Sequence, residues 1–103
     1  MQALVLLVGH LASDIEIIKN DYEMNIALLK VIVERPFKNA EGIYEKDIFN
    51  VQSWGNVSDQ LQEIAHKGSL VGIRGRLQTK DNNVIIIAEK ISILSSSSNK
   101  EEK

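Results

Sequence analysis

Apolar residues run nearly unbroken through residues 2–9, and the next stretch, Asp14-Ile15-Glu16-Ile17-Ile18-Lys19-Asn20, partly alternates. Residues 25–34, Asn-Ile-Ala-Leu-Leu-Lys-Val-Ile-Val-Glu, are long, apolar and rich in β-branched side chains. All three read as strand-like, because branched side chains pack well on a pleated surface. A proline, an asparagine and a glycine fall within residues 35–42 and predict a loop. Residues 47–54 alternate again and predict a strand. From Asn56 the period lengthens: Val57, Leu61, Ile64 and Ala65 recur at helical spacing, with Asn56 expected as the N-cap and Lys67-Gly68 as the close. Residues 69–78 and 84–94 return to strands. Between them Lys80-Asp81-Asn82-Asn83 suits a tight hairpin, since asparagine tolerates positive φ.

The order condenses to three strands, a helix and two strands. A mainly β, five-stranded Greek-key barrel with one helix between the third and fourth strands, the OB-fold, matches it. Residues 1–94 read as one domain. From Ser95 the chain becomes serine-rich and charged, and residues 95–103 are expected to be a disordered tail.

Composition sets limits. With 103 residues, 44% hydrophobic and 25% charged, the chain has material for one ordinary globular core. It has no cysteine, and His10 and His66 are far apart, so no disulfide, metal site or cofactor is expected. No apolar run approaches the ~20 residues of a membrane helix, and the N-terminal run lacks a basic flank and a cleavage site. The expectation is a cytoplasmic protein with no membrane partner. No Gly-rich phosphate loop, Gly-x-Ser-x-Gly or His-Glu-x-x-His is present, and the reading is of a binding module, not an enzyme. The net charge of −2 means that any nucleic-acid site must lie in the placement of charges, not in their sum.

Two strands carry that placement. In residues 47–54, Phe49, Val51 and Ser53 share one face, expected to be core. Ile48, Asn50, Gln52 and Trp54 share the other, a mixed face suited to bases that stack and hydrogen-bond at their edges. In residues 69–78, Val71, Ile73 and Leu77 are expected inward, with Gly75 at a bend of the barrel wall, and Arg74, Arg76 and Gln78 outward. From Lys67 to Lys80 there are four basic residues and no acidic one. Phe37, Lys38, Tyr44 and Lys46 interleave aromatic and basic character in the loop, a weaker signal. Asp14 and Glu16 read as a solvated strand edge, and His10 as a polar strand end that also stands where a phosphate or base contact would fit.

The chain resembles the bacterial single-stranded DNA-binding proteins. Leu7-Val8-Gly9-His10-Leu11 is similar to the family's opening Leu-Val-Gly-Arg/Asn-Leu, and Asp14-Ile15-Glu16 to its Asp-Pro-Glu. Residues 33–42, residues 49–54, Lys67-Gly68-Ser69-Leu70-Val71 and Gly75-Arg76-Leu77-Gln78-Thr79 follow in the family's order. The resemblance implies sequence-independent binding of single-stranded DNA, by a homotetramer as a rule. It places Phe37, Ile48 and Trp54 at stacking sites, and Asn50, Arg74, Arg76, Gln78 and Lys80 on or beside the DNA-facing strands. Ile48 replaces an aromatic, His10 stands where Arg or Asn is usual, and the link at 79–83 is shorter than the family's finger. The chain ends Asn99-Lys100-Glu101-Glu102-Lys103, without the acidic, phenylalanine-ended tip through which the family recruits replication and repair proteins. Recruitment of such partners is therefore left open, as are a truncated chain, a paralogue, a primosomal-type accessory protein and an RNA-binding domain. Residues 3–8 and 84–87, apolar on both faces, predict a homo-oligomer, tetramer ahead of dimer.

Overall fold

The computed structural model describes residues 3–95, the side chains of 56–59 excepted. Six strands and one helix follow in the order β1 (Leu4–Leu11), β2 (Glu16–Lys19), β3 (Asn25–Lys38), β4 (Tyr44–Trp54), α1 (Asn56–Ile64), β5 (Leu70–Lys80) and β6 (Asn83–Ser95). Five of the strands close a ring: β1 pairs with β5, β5 with β6, β6 with β4, β4 with β3, and β3 returns to β1 through His10↔Ile32 and Leu11↔Val31. The short β2 extends the β1 side of β3, pairing Glu16↔Leu28 through Lys19↔Asn25. Counted along the chain with β2 left out, the helix falls between the third and fourth barrel strands, as the sequence pattern predicts.

Period-2 alternation decides what fills the barrel. Leu29 and Val31 of β3, Val51 of β4, and Val71 and Ile73 of β5 are buried together with Leu11. Phe49 packs against them partly buried, and Ser53 is buried beside them in sequence on the same face. The helix contributes Leu61 to this core, Ala65 just beyond it adds to the same cluster, and the Gln62 Nε2 donates to the Ile15 carbonyl at 2.9 Å. Burying a leucine is worth about 1.5–3 kcal/mol, so Leu61 is a substantial tie between helix and barrel. Closure also requires close backbone approach. A Cβ at Gly75 would run into the Ile87 carbonyl, and one at Gly9 into the Ile32 carbonyl. The register of β5 on β6 shifts between Arg74 and Gly75, which is the expected bend.

Several local expectations change. The helix N-cap is Gly55, at φ 81°, and Asn56 is the first helical residue. The helix stops at Ile64 because Ala65 is already extended, and Ile64 is exposed instead of joining the apolar stripe. His66 and Gly68 therefore lie in the turn beyond it, where Gly68 takes φ 91° and donates to the Leu11 carbonyl. β3 and β4 reach well into the expected loop, which shrinks to a turn between Lys38 and Tyr44 pinned by Asn39. Leu77 is 37% exposed, since β5 from Arg76 onward and the start of β6 are exposed on both faces. The hairpin they form turns through Asp81 (φ 53°) and Asn82 (φ 68°). Ser95 ends β6 opposite Leu70; the rest of the expected tail lies outside the described residues.

Candidate nucleic-acid interface

The outward face of β4 is a single row. Tyr44, Lys46, Ile48, Asn50, Gln52 and Trp54 alternate with the inward residues and are exposed or half-exposed. Ten residue steps at about 3.3 Å make a row of roughly 33 Å. It carries an aromatic ring at each end, an aliphatic side chain and a cation between them, and two amides. Flat bases can stack on the rings, and the amides can meet base edges. The Trp54 Nε1 donates to Gln52 Oε1 at 3.2 Å, which orients the indole along the strand.

Neighbouring strands build on the row. On β3, Ile26 faces Trp54, Lys30 faces Asn50 and Ile32 faces Ile48. On the other side, Trp54, Arg76, Gln78, Ile87 and Ala88 line one hollow of about 360 Å³. Arg76 is held there by Gln78 Oε1 at 3.2 Å from its Nε and by Glu89 Oε2 at 3.0 Å from its Nη1. Such an exposed pair is weak and screened, leaving the guanidinium exchangeable towards a phosphate. A second hollow of about 310 Å³ lies beside Asn50 and Gln52 and includes Lys30, Ser13, Asp14 and Glu16. Asp14 precedes β2 and accepts a hydrogen bond from the Lys67 amide at 2.8 Å, so it does not share a strand with Glu16.

The sequence-derived residues thus fall into separate groups. Trp54, Arg76 and Gln78 come together; Ile48 and Asn50 continue the same strand. His10 is linked across the sheet through Ile32 to Ile48 and shares a hollow with Lys46 and Glu34. Phe37, 63% exposed, belongs to the outer part of the β3–β4 hairpin, and Lys80 to the end of the β5–β6 hairpin. Arg74 stands apart. It pairs with Leu6 and Lys90 and lines a hollow with Leu6, Val8, Gly72 and Ser92, not with Trp54. Tyr44 and Lys46 join the row because β4 starts three residues before the expected strand, and Lys30 is the lone cation of an otherwise apolar run. Alternation along β3 was the signal that could have found Lys30.

At the outer part of the hairpin, Lys38 Nζ sits 5.7 Å from the centre of the Tyr44 ring. Behind it Arg35 grips Asp47 with two hydrogen bonds, at 3.0 and 2.9 Å, and also reaches Glu45. The hydrogen bond from Arg35 holds the Asp47 carboxyl below its ordinary 3.8 and outweighs the desolvation that opposes it. A lowered carboxyl pKa means that the pair contributes above that ordinary value and is lost as pH falls through the lower folded one. No group of three or more metal-binding side chains exists among the described residues.

Residues 2–90 match the model of the single-strand binding protein family. The chain is 37% identical over 89 residues to single-stranded DNA-binding protein 1 of Streptococcus pyogenes, covering 82% of this chain and 68% of that protein. It is 38% identical over 77 residues to single-stranded DNA-binding protein 1 of Lactococcus lactis, covering 75% and 51% respectively. The aligned part thus spans about half to two-thirds of these relatives' lengths. In fold it is similar to the mitochondrial single-stranded DNA binding protein of S. cerevisiae, at TM-score 0.81 and 13% identity over 94% of this chain and 98% of that one. It is also similar to a deletion mutant of the single-stranded DNA binding protein from Thermus aquaticus, at TM-score 0.71 and 20% identity over 92% and 51%. With the barrel, the outward row and a family match over nearly the whole described chain, this protein belongs to the single-strand binding protein family.

Proposed function

We propose that residues 1–94 form a domain that binds single-stranded DNA without regard to sequence, as non-catalytic protection of exposed strands in replication, recombination and repair. The observation that carries this reading is the row on β4 ending in the hollow of Trp54, Arg76 and Gln78, which offers stacking and charge side by side. Phe37, Ile48, Asn50, Lys80 and His10 extend the contact, with Tyr44, Lys46 and Lys30 added by their places on β4 and β3. Arg74 serves as an outlying cation. On this reading its place of action is the cytoplasm. No described helix is long and apolar enough to cross a membrane.

The same reading includes self-association. Leu4, Leu6 and Val8 point outward from β1 and are 59%, 74% and 59% exposed, an apolar strip that a second copy of the chain would cover. Family membership favours a tetramer over a dimer.

Trp54 is the sole tryptophan, so its fluorescence reports one point of the row. Titration with oligo-dT at low salt is expected to quench that emission and to bind more tightly than RNA of the same length or duplex DNA. Tighter binding of the RNA would replace this reading with an RNA-binding one. Unchanged emission and unchanged oligomer mass at saturating oligo-dT would leave the accessory replication protein.

A further inference from the structure

The β3–β4 hairpin has a weak point near the outer end of its ladder, one pair short of the turn. Its paired residues run to Glu34↔Lys46 and resume only at Lys38↔Tyr44. Residues 35–37 of β3 thus stand opposite Glu45 alone, and Pro36 has no N–H to give. Everything beyond this break is solvent-exposed apart from Asn39, so no core holds it in place. Yet this outer part carries Lys38 and Tyr44, with Phe37 at its edge in the break itself. Side chains bridge the break. The Arg35 fork binds both oxygens of Asp47 and one of Glu45, and the other Glu45 oxygen accepts from Asn39 Nδ2 at 3.1 Å. Asn39 in turn closes the turn by accepting from the Glu41 and Ile43 amides. By alternation, Glu45 and Asp47 lie on the face of β4 opposite Tyr44, Lys46 and Ile48.

We infer that Arg35 is a positioning residue: its ion-pair clip with Asp47 and Glu45, on the back of the hairpin, sets the arm bearing Phe37, Lys38 and Tyr44 for the incoming strand. This rests on the single-strand reading above. Exposed ion pairs add little to global stability, so the gain is in prior ordering of the arm, which lowers the entropy lost on binding. The geometry needs the planar fork of arginine; lysine offers a point charge and cannot bind both Asp47 oxygens in parallel.

The alternative role, direct contact of Arg35 with phosphate, makes opposite predictions. The test compares Arg35→Lys and Asp47→Asn in the full chain with the unaltered protein, using oligo-dT over a range of salt. Positioning predicts that both variants bind about fivefold more weakly or worse, the lower edge of what one stacked base contributes. It also predicts an unchanged slope against salt and, without DNA, faster hydrogen exchange at the Asn39, Gly42 and Ile43 amides. Trp54 emission of the free protein should not change, which shows that the barrel is intact. Direct contact predicts instead that Arg35→Lys is nearly silent. It further predicts that Asp47→Asn, which removes a negative charge, tightens binding; either result overturns the inference. Unaltered exchange at the three amides also overturns it, with or without DNA. Failure of the unaltered protein to bind oligo-dT would instead reject the single-strand reading, while the exchange result judges the clip independently.

Discussion

In the proposed binding face, the single residues Trp54 and Arg76 would divide the work. The indole stands 41% exposed at the end of β4, oriented by Gln52, and shares its hollow with Arg76 and Gln78. Trp54→Ala is expected to weaken oligo-dT binding by ~1–3 kcal/mol, the usual loss for one stacked base. Isothermal titration with the variant checks this. The two arginines should behave differently, although period 2 puts both on one face. Arg76→Ala should weaken all sequences about equally and reduce the salt slope by roughly 0.7, one phosphate contact on a single strand. Arg74→Ala should have the smaller effect, because Arg74 lies among Leu6, Val8 and Lys90, away from Trp54. Slopes measured for both variants decide the point: a larger loss at Arg74 would route the strand over the β1–β5 side of the barrel.

At the scale of elements, hairpins carry exposed side chains of the proposed interface that the barrel core cannot steady. The β5–β6 hairpin solves this with a continuous ladder from Gly75↔Ala88 to Lys80↔Asn83 and a two-residue turn with both φ values positive. Asn82→Val places a β-branched residue in the left-handed region, where a non-glycine residue costs about 1–2 kcal/mol. Thermal denaturation should show the lower melting temperature, and oligo-dT binding should change little if Lys80 is only a peripheral contact. The β3–β4 hairpin uses a different device, a side-chain clip across a broken ladder. In both cases the turn chemistry was visible in the sequence: Asp81-Asn82 and Asn39 are turn formers. The extent of the strands was not. Residues 35–38 and 44–46 are polar and mixed, without alternation; Glu34↔Lys46 and Lys38↔Tyr44 flank a break that Arg35 bridges, and no buried face marks these residues as strand.

For the whole molecule, the outward strip of Leu4, Leu6 and Val8 matters most. Three neighbouring aliphatic side chains on one strand are a poor surface for an isolated chain in water. Leu6→Asp is expected to shift the protein from oligomer to a smaller species at micromolar concentration, as read by light scattering. The barrel should survive, since Leu6 is 74% exposed and Leu7 faces the core instead. An unchanged mass would mean that this strip does not carry the proposed self-association.

The alternation of residues 47–54 and 69–73, the helical period around Leu61 and the turn at Asp81-Asn82 determined the class of fold and the composition of the core, because burial repeats with the geometry of each element. They also put Ile48, Asn50, Gln52 and Trp54 on one face. What they did not determine depends on neighbours distant in the chain. Asn56 has the composition of an N-cap, but the preceding glycine takes that place. Ile64 fits the helical stripe, yet the helix ends there and leaves it exposed. Leu77 keeps the inward phase of β5, but lies on a part of the hairpin that has left the core. Arg74 and Arg76 are two residues apart and indistinguishable by period. On β1 each pairs with an outward leucine, Arg74 with Leu6 and Arg76 with Leu4; the register of β5 against β6, with its shift at Gly75, sets Lys90 beside Arg74 and Ile87 beside Arg76, and so brings Arg76 alone into the hollow of the tryptophan. Period is a local property of the backbone, whereas which faces meet is decided by ring closure and strand register, and those exist only in the folded chain.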